Sequence, residues 1–160
     1  MKKILTGLFV AAIAVLGFSS CQDDNDLPNV DYQITISGAV ESEGTIYVVK
    51  GDAVTFESIN VINNEVDKRA MITSATYYWD YYRLGTTYVE PFGYTIQTTE
   101  ATQVGEHQIA IESPLYAVDK SIATSVVAFP VQVVETADDL PADGVTAFTL
   151  TPSYKDDNDD

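Results

Sequence analysis

Between residues 32 and 151, apolar and polar positions largely alternate with period two, the spacing that sends successive side chains to opposite faces of a strand. Tyr32, Ile34 and Ile36 alternate with Gln33, Thr35 and Ser37. A second run, 45–50, ends at Gly51-Asp52, and a third, 53–62, puts Val54, Phe56, Ser58 and Asn60 on one side. Asn63-Asn64 opens a polar turn that reaches Arg69. Further strands are expected over 71–82, which carries an aromatic cluster, over 93–98, 106–112 and 121–135, and over a short segment at 147–151. Pro130 predicts a bulge or an edge, because proline brings no N–H to a ladder. Helical periodicity is weak, and Val, Ile, Thr, Tyr and Phe are abundant. Seven to eight short strands with turns about every 8–12 residues predict an all-β fold, an antiparallel β-sandwich.

The sandwich is expected over 32–136, followed at 137–154 by a loop around Pro141 and a possible extra strand. Residues 155–160 read as an acidic disordered tail. No internal repeat and no second domain is visible, and a domain of this size buries enough surface to fold without crosslinks.

The first residues read differently. Lys2 and Lys3 precede an apolar run over 4–18, and Ser19, Ser20 and Cys21 follow. A bilayer-spanning helix needs about 20 apolar residues, so this run is short for a span and has the layout of a secretory signal peptide over 1–20. The sequence Leu16-Gly17-Phe18-Ser19-Ser20-Cys21 resembles the lipobox of bacterial lipoproteins, although leucine is commoner than phenylalanine three places before the cysteine. The resemblance implies acylation of Cys21 and attachment to a membrane through those chains. Residues 21–31 form an acidic tether. Its opening, Gln22-Asp23-Asp24-Asn25-Asp26, resembles the export signal of surface-displayed lipoproteins of some Gram-negative bacteria, which implies an outer-membrane lipoprotein exposed at the cell surface.

Charge narrows the function classes. The chain has 8 Lys+Arg against 24 Asp+Glu, a net charge of −16. The acidity belongs to the body as well as the tails, which argues against nucleic-acid binding. A single Cys and a single His exclude a disulfide framework and a Cys/His zinc site. No acidic tract has the spacing of a dedicated calcium loop, and no cofactor is expected.

Four stretches resemble bacterial immunoglobulin-like domains of surface lipoproteins, adhesins and modular carbohydrate-active proteins. They are Tyr77-Tyr78-Trp79-Asp80, Leu84-Gly85-Thr86-Thr87, Pro91-Phe92-Gly93-Tyr94 and Gly105-Glu106-His107-Gln108-Ile109. The turn at 51–56 adds to this, and the likeness covers about 31–135. It implies an immunoglobulin-like sandwich and says little of function. One departure stands out. The family usually has a glycine after the strand-ending Asp, and here Tyr81-Tyr82 follow.

Tyr77 and Trp79 share one face of their strand and are expected in the core, with Tyr78 on the other face. The candidate contact surface is Tyr78, Tyr81, Tyr82 and Arg83, with Tyr88 and Tyr94 as further rings. Flat amphipathic rings stack on sugar faces at low entropy cost, and Arg83 could pair with acidic sugars or with nearby carboxylates. His107 is expected to pack or hydrogen-bond. No nucleophile elbow and no marked carboxylate pair point to an enzyme, so no catalytic residue is assigned. The expected role is a non-catalytic binding or accessory module. Its ligand is either a glycan or a protein of a surface complex or adhesin. A weaker third possibility is calcium-dependent adhesion, which requires Asp138, Asp139 and Asp143 to converge.

Overall fold

The computed structural model describes residues 27–65, 69–117 and 122–155. The signal peptide, Cys21, the first part of the acidic tether and residues 156–160 lie outside the described residues. Among the described residues twelve strands form two sheets. The smaller sheet runs in the order β11 (Ala147–Leu150), β1 (Val30–Ser37), β4 (Ala53–Asn63), β8 (Tyr94–Gln97). The larger runs β2 (Val40–Ser42), β3 (Thr45–Val49), β10 (Ala123–Val134), β9 (Gly105–Ala117), β6 (Ala75–Trp79), β7 (Tyr82–Thr87). Two short strands join its margin: β5 (Ala70–Ile72) on β9 and β12 (Ser153–Tyr154) on β10. The chain changes sheet after β1, on both sides of β4, on both sides of β8 and on both sides of β11, and the result is an immunoglobulin-like β-sandwich.

The expected alternation is what the core uses. Tyr32, Ile34 and Ile36 of β1 and Val54, Phe56 and Ile59 of β4 face Tyr77, Ile109, Ile111, Phe129 and Val131 of the larger sheet, all buried. Phe56 tilts against Tyr77 at 5.3 Å and lies 6.2 Å from Phe129, while Tyr94 stacks on Tyr77 at 4.9 Å. Tyr77 Oη donates to the Phe92 carbonyl at 2.6 Å, so this one side chain ties β6 to the connection between β7 and β8. A second polar contact crosses deeper in the sandwich. Tyr32 Oη and Ser125 Oγ lie 2.5 Å apart, and Ser125 Oγ donates to the Ser113 carbonyl at 2.9 Å. Burial pushes the Tyr32 phenol up to about 12, against the opposing pull of its Ser125 hydrogen bond.

Several details differ from the periodicity. The expected strand over 71–82 is broken into β5, β6 and a turn, and β7 is a separate strand with a bulge where its register slips opposite Tyr77 and Tyr78. The sandwich is not wholly antiparallel, because β3 runs parallel to β10 from Ile46↔Val131 to Val49↔Val134. Pro130 lies on β10 between its partners β12, at 125–126, and β3, from 131, so one flank there has no strand. The 137–154 segment contributes a 3-10 turn at Ala137–Asp139 and the strands β11 and β12. At the β1–β2 corner Gly38 has φ +75°, and a Cβ there would lie 2.1 Å from the Ala53 carbonyl oxygen, so the corner admits only glycine.

Removing the Tyr77 hydroxyl strands a carbonyl on the buried Phe92. We expect Tyr77→Phe to cost about 1–2 kcal/mol of unfolding free energy, and Tyr77→Ala about 3–5 kcal/mol. Denaturant unfolding of both variants checks the two values.

Candidate functional site

The two ends of the sandwich are chemically different. At one end the chain enters: Tyr154 Oη donates to the Pro28 carbonyl at 2.7 Å, and Asn63 and Ala70 exchange hydrogen bonds between the sheets. At the other end, β6 turns into β7. Trp79 pairs with Tyr82, so Asp80 and Tyr81 are the two central residues of the turn. Their φ angles are +45° and +73°. Positive φ at both positions is the geometry that fits the twist of a two-residue hairpin, and it favours glycine or asparagine. Tyrosine in that conformation is an outlier that the surroundings must hold in place.

A clasp holds it. The Asp80 carboxylate accepts from the backbone N–H of Gln108 through Oδ1 at 2.9 Å and lies 2.6 Å from His107 Nδ1 through Oδ2. Asp80 N–H donates to the Gln108 carbonyl at 2.9 Å. His107 Nε2 lies 2.7 Å from the Gln103 carbonyl, so both ring nitrogens face acceptors, an arrangement that only the imidazolium satisfies fully. The Trp79 indole stacks on the ring at 4.9 Å. Burial lowers the His107 pKa, but the Asp80 hydrogen bond, the Gln103 carbonyl and the Asp80 charge outweigh it, and the net shift is upward. Trp79, expected in the core, is only half-buried and forms the rim of this end.

The predicted contact residues divide over this hairpin. Tyr81 and Tyr82 are 84% and 77% exposed, Tyr81 at the turn and Tyr82 on the side of Trp79. Tyr78 and Arg83 oppose each other on the outer face of the sheet. Tyr78 Oη donates to Glu112 Oε2 at 3.2 Å, and Arg83 Nη2 donates to Thr86 Oγ1 at 2.9 Å. Burial and then the Glu112 charge and hydrogen bond raise the Tyr78 pKa. Tyr88 is 73% exposed at the far end of β7, whereas Tyr94 packs inward over Gly85, where a Cβ would lie 2.9 Å from the Tyr94 hydroxyl.

Between the edge strands β7 and β8 lies a groove of about 280 Å³ lined by Trp79, Leu84, Tyr94, Gln97, Thr98 and Thr102. It adjoins the Tyr81–Tyr82 hairpin and was not foreseen, because it forms where the edges of two different sheets part. Its polar groups largely have partners: Gln97 Nε2 donates to Gly51 O and Thr98 O, and Thr98 Oγ1 donates to Asp52 O. The convergence of Asp138, Asp139 and Asp143 that calcium-dependent adhesion would require does not occur. Asp139 Oδ2 accepts from Thr136 within its own turn, Asp143 Oδ1 accepts from Ser42, and no group of three metal-ligating side chains converges among the described residues.

The clasp makes a pH prediction. The folded-state pKa of His107 lies above the ordinary 6.5. Its contribution to stability is therefore complete below about pH 6.5 and is lost as pH rises through the folded value. Emission of Trp79, the sole tryptophan, should follow one titration with a midpoint above 6.5, and the melting temperature should fall across the same interval. His107→Gln should show neither change.

No family model matches the chain, and no curated protein matches it. Among solved structures it is similar to a chain described as the fibronectin(III)-like modules of Clostridium thermocellum CbhA, with 11% sequence identity and a TM-score of 0.40. The match covers 67% of this chain and 48% of that one.

Proposed function

We propose that this is a non-catalytic binding module, held at an outer membrane by acyl chains on Cys21 and exposed at the cell surface, that takes a glycan on the β6–β7 hairpin. Tyr81 and Tyr82 stack on sugar faces, Arg83 and Tyr78 flank them on the outer face, and the adjoining groove under Trp79 receives a ring or branch. The observation that carries this reading is Tyr81. It is 84% exposed and sits at φ +73° in a turn position where glycine would relieve strain. A side chain that costs stability and covers no core is explained by contact with something outside the chain. The strongly acidic body favours neutral over anionic sugars.

A second reading is supported by β7 itself. It is the terminal strand of its sheet, and Tyr82, Arg83 and Leu84 are exposed along it. An extended segment of a protein partner could add to that edge.

The two readings separate by experiment. The chain from Gln22 onward, tested on a broad glycan panel, should bind a neutral glycan, and Tyr81→Ala/Tyr82→Ala should lose that binding while keeping its fold. Tyr81→Gly should lose binding while gaining about 1 kcal/mol of stability from relief of the left-handed conformation. No binding to any glycan would refute the first reading and turn the search to protein partners on β7.

A further inference from the structure

We infer that the outer face of the larger sheet at the chain-entering end, formed by Met71, Tyr116 and Ile122, rests on the lipid bilayer and so orients the module on its membrane. The inference depends on the acylation of Cys21 proposed above and adds to it a defined contact between domain and lipid.

Three apolar side chains stand exposed together there. Met71 and Tyr116 are direct partners across β5 and β9 and are 56% and 39% exposed. Ile122, 63% exposed, precedes Ala123, whose partner on β9 is Leu115, the neighbour of Tyr116. Ile62, 38% exposed, marks the same end on the other sheet, and Arg69 is exposed beside Ala70. Aliphatic groups, a tyrosine and an arginine at one margin match the chemistry of the bilayer interface, where rings sit at headgroup level and a cation reaches the phosphates.

Chain geometry selects the bilayer as the occupant. Eight residues separate Cys21 from Val30, the first residue of β1. Fully extended they reach about 30 Å, so an acylated Cys21 holds this end, where the tether joins the domain, nearer the headgroups than the Tyr81 end. Tethering makes the contact intramolecular, and a weak patch then suffices. A second copy of the chain is the poorer occupant. Three part-exposed side chains offer on the order of 300 Å², against the roughly 800 Å² per partner of a stable dimer. The acidic body disfavours anionic headgroups, so zwitterionic lipid is the appropriate probe.

The test uses the full acylated chain in phosphatidylcholine vesicles with plain or brominated acyl chains, since bromine quenches tryptophan only at close range. Trp79 is the built-in reference. It pairs with Ile109, seven residues from Tyr116 on β9, or about 23 Å along the strand. We expect brominated lipid to leave Trp79 emission of the unsubstituted protein unchanged. The emission added by Ile122→Trp, and independently by Met71→Trp, should fall at least twofold. Equal emission in both lipids at both positions, from protein that floats with the vesicles, overturns the docking and leaves the anchor standing. If those tryptophans are then also shielded from aqueous iodide, a second copy covers the face. Protein that carries no acyl group and stays in the aqueous phase overturns the anchor and the docking together.

Discussion

Tyr77 is the side chain on which the rest of the sandwich depends. It stands at the centre of β6, fully buried, with Phe56 of the opposite sheet on one side and Tyr94 stacked on the other. Its hydroxyl fixes the connection that carries the chain from one sheet to the other. A single cysteine cannot pair within the chain, so packing performs the bridging that a disulfide performs in antibody domains. A buried aromatic side chain contributes roughly 1.5–3 kcal/mol through burial alone. Two residues further along the same strand, Trp79 is the last side chain held by this packing before the hairpin turns.

That continuity explains how a strained turn stays ordered. Asp80 and Tyr81 both carry positive φ without being glycine, and each such residue costs of order 1–3 kcal/mol unless its surroundings offset it. The offset comes from the Asp80 carboxylate, which bonds to His107 and to the Gln108 backbone, and from Trp79 stacked on the imidazole. Rigid support beneath exposed rings is what a contact surface needs, because ordering costs met in advance are not charged against binding. The opposite end receives the N-terminal segment, so the hairpin is displayed at the end of the sandwich farthest from Val30.

The fold was largely legible because most strands bury one face. In β1 and β10 the period-two pattern survives. In β4 a bulge opposite Thr35 and Ile36 shifts it, so that Ile59, and not Ser58 and Asn60, follows Val54 and Phe56 into the core. The bounds of all three strands match the alternating segments to within about two residues. Legibility failed where that asymmetry vanishes. The edge strand β7 is exposed or half-buried throughout, and the short β2 has no buried residue, so neither alternates. The segment 71–82 hid a turn because Asp80-Tyr81 carries none of the usual turn residues beyond the aspartate. The tyrosines were visible as a cluster in sequence, but not their division between the turn, the outer face and the Trp79 side. That division follows from the two-residue turn, whose register pairs Trp79 with Tyr82 and Tyr78 with Arg83. The link from Asp80 to His107 spans 27 positions, and the groove joins β7 to a strand of the other sheet. Neither leaves a local signal.

The hairpin end of the sandwich is the end we propose meets the ligand. The most direct measurement is the set of backbone amide shifts of the isotope-labelled chain from Gln22 onward, recorded before and after addition of pooled neutral oligosaccharides. We expect changes concentrated at residues 79–84 and at 102–107 beneath Trp79, with residues 62, 71, 116 and 122 undisturbed. Changes centred on the β2 and β11 margins, or no change at any amide, would contradict that proposal.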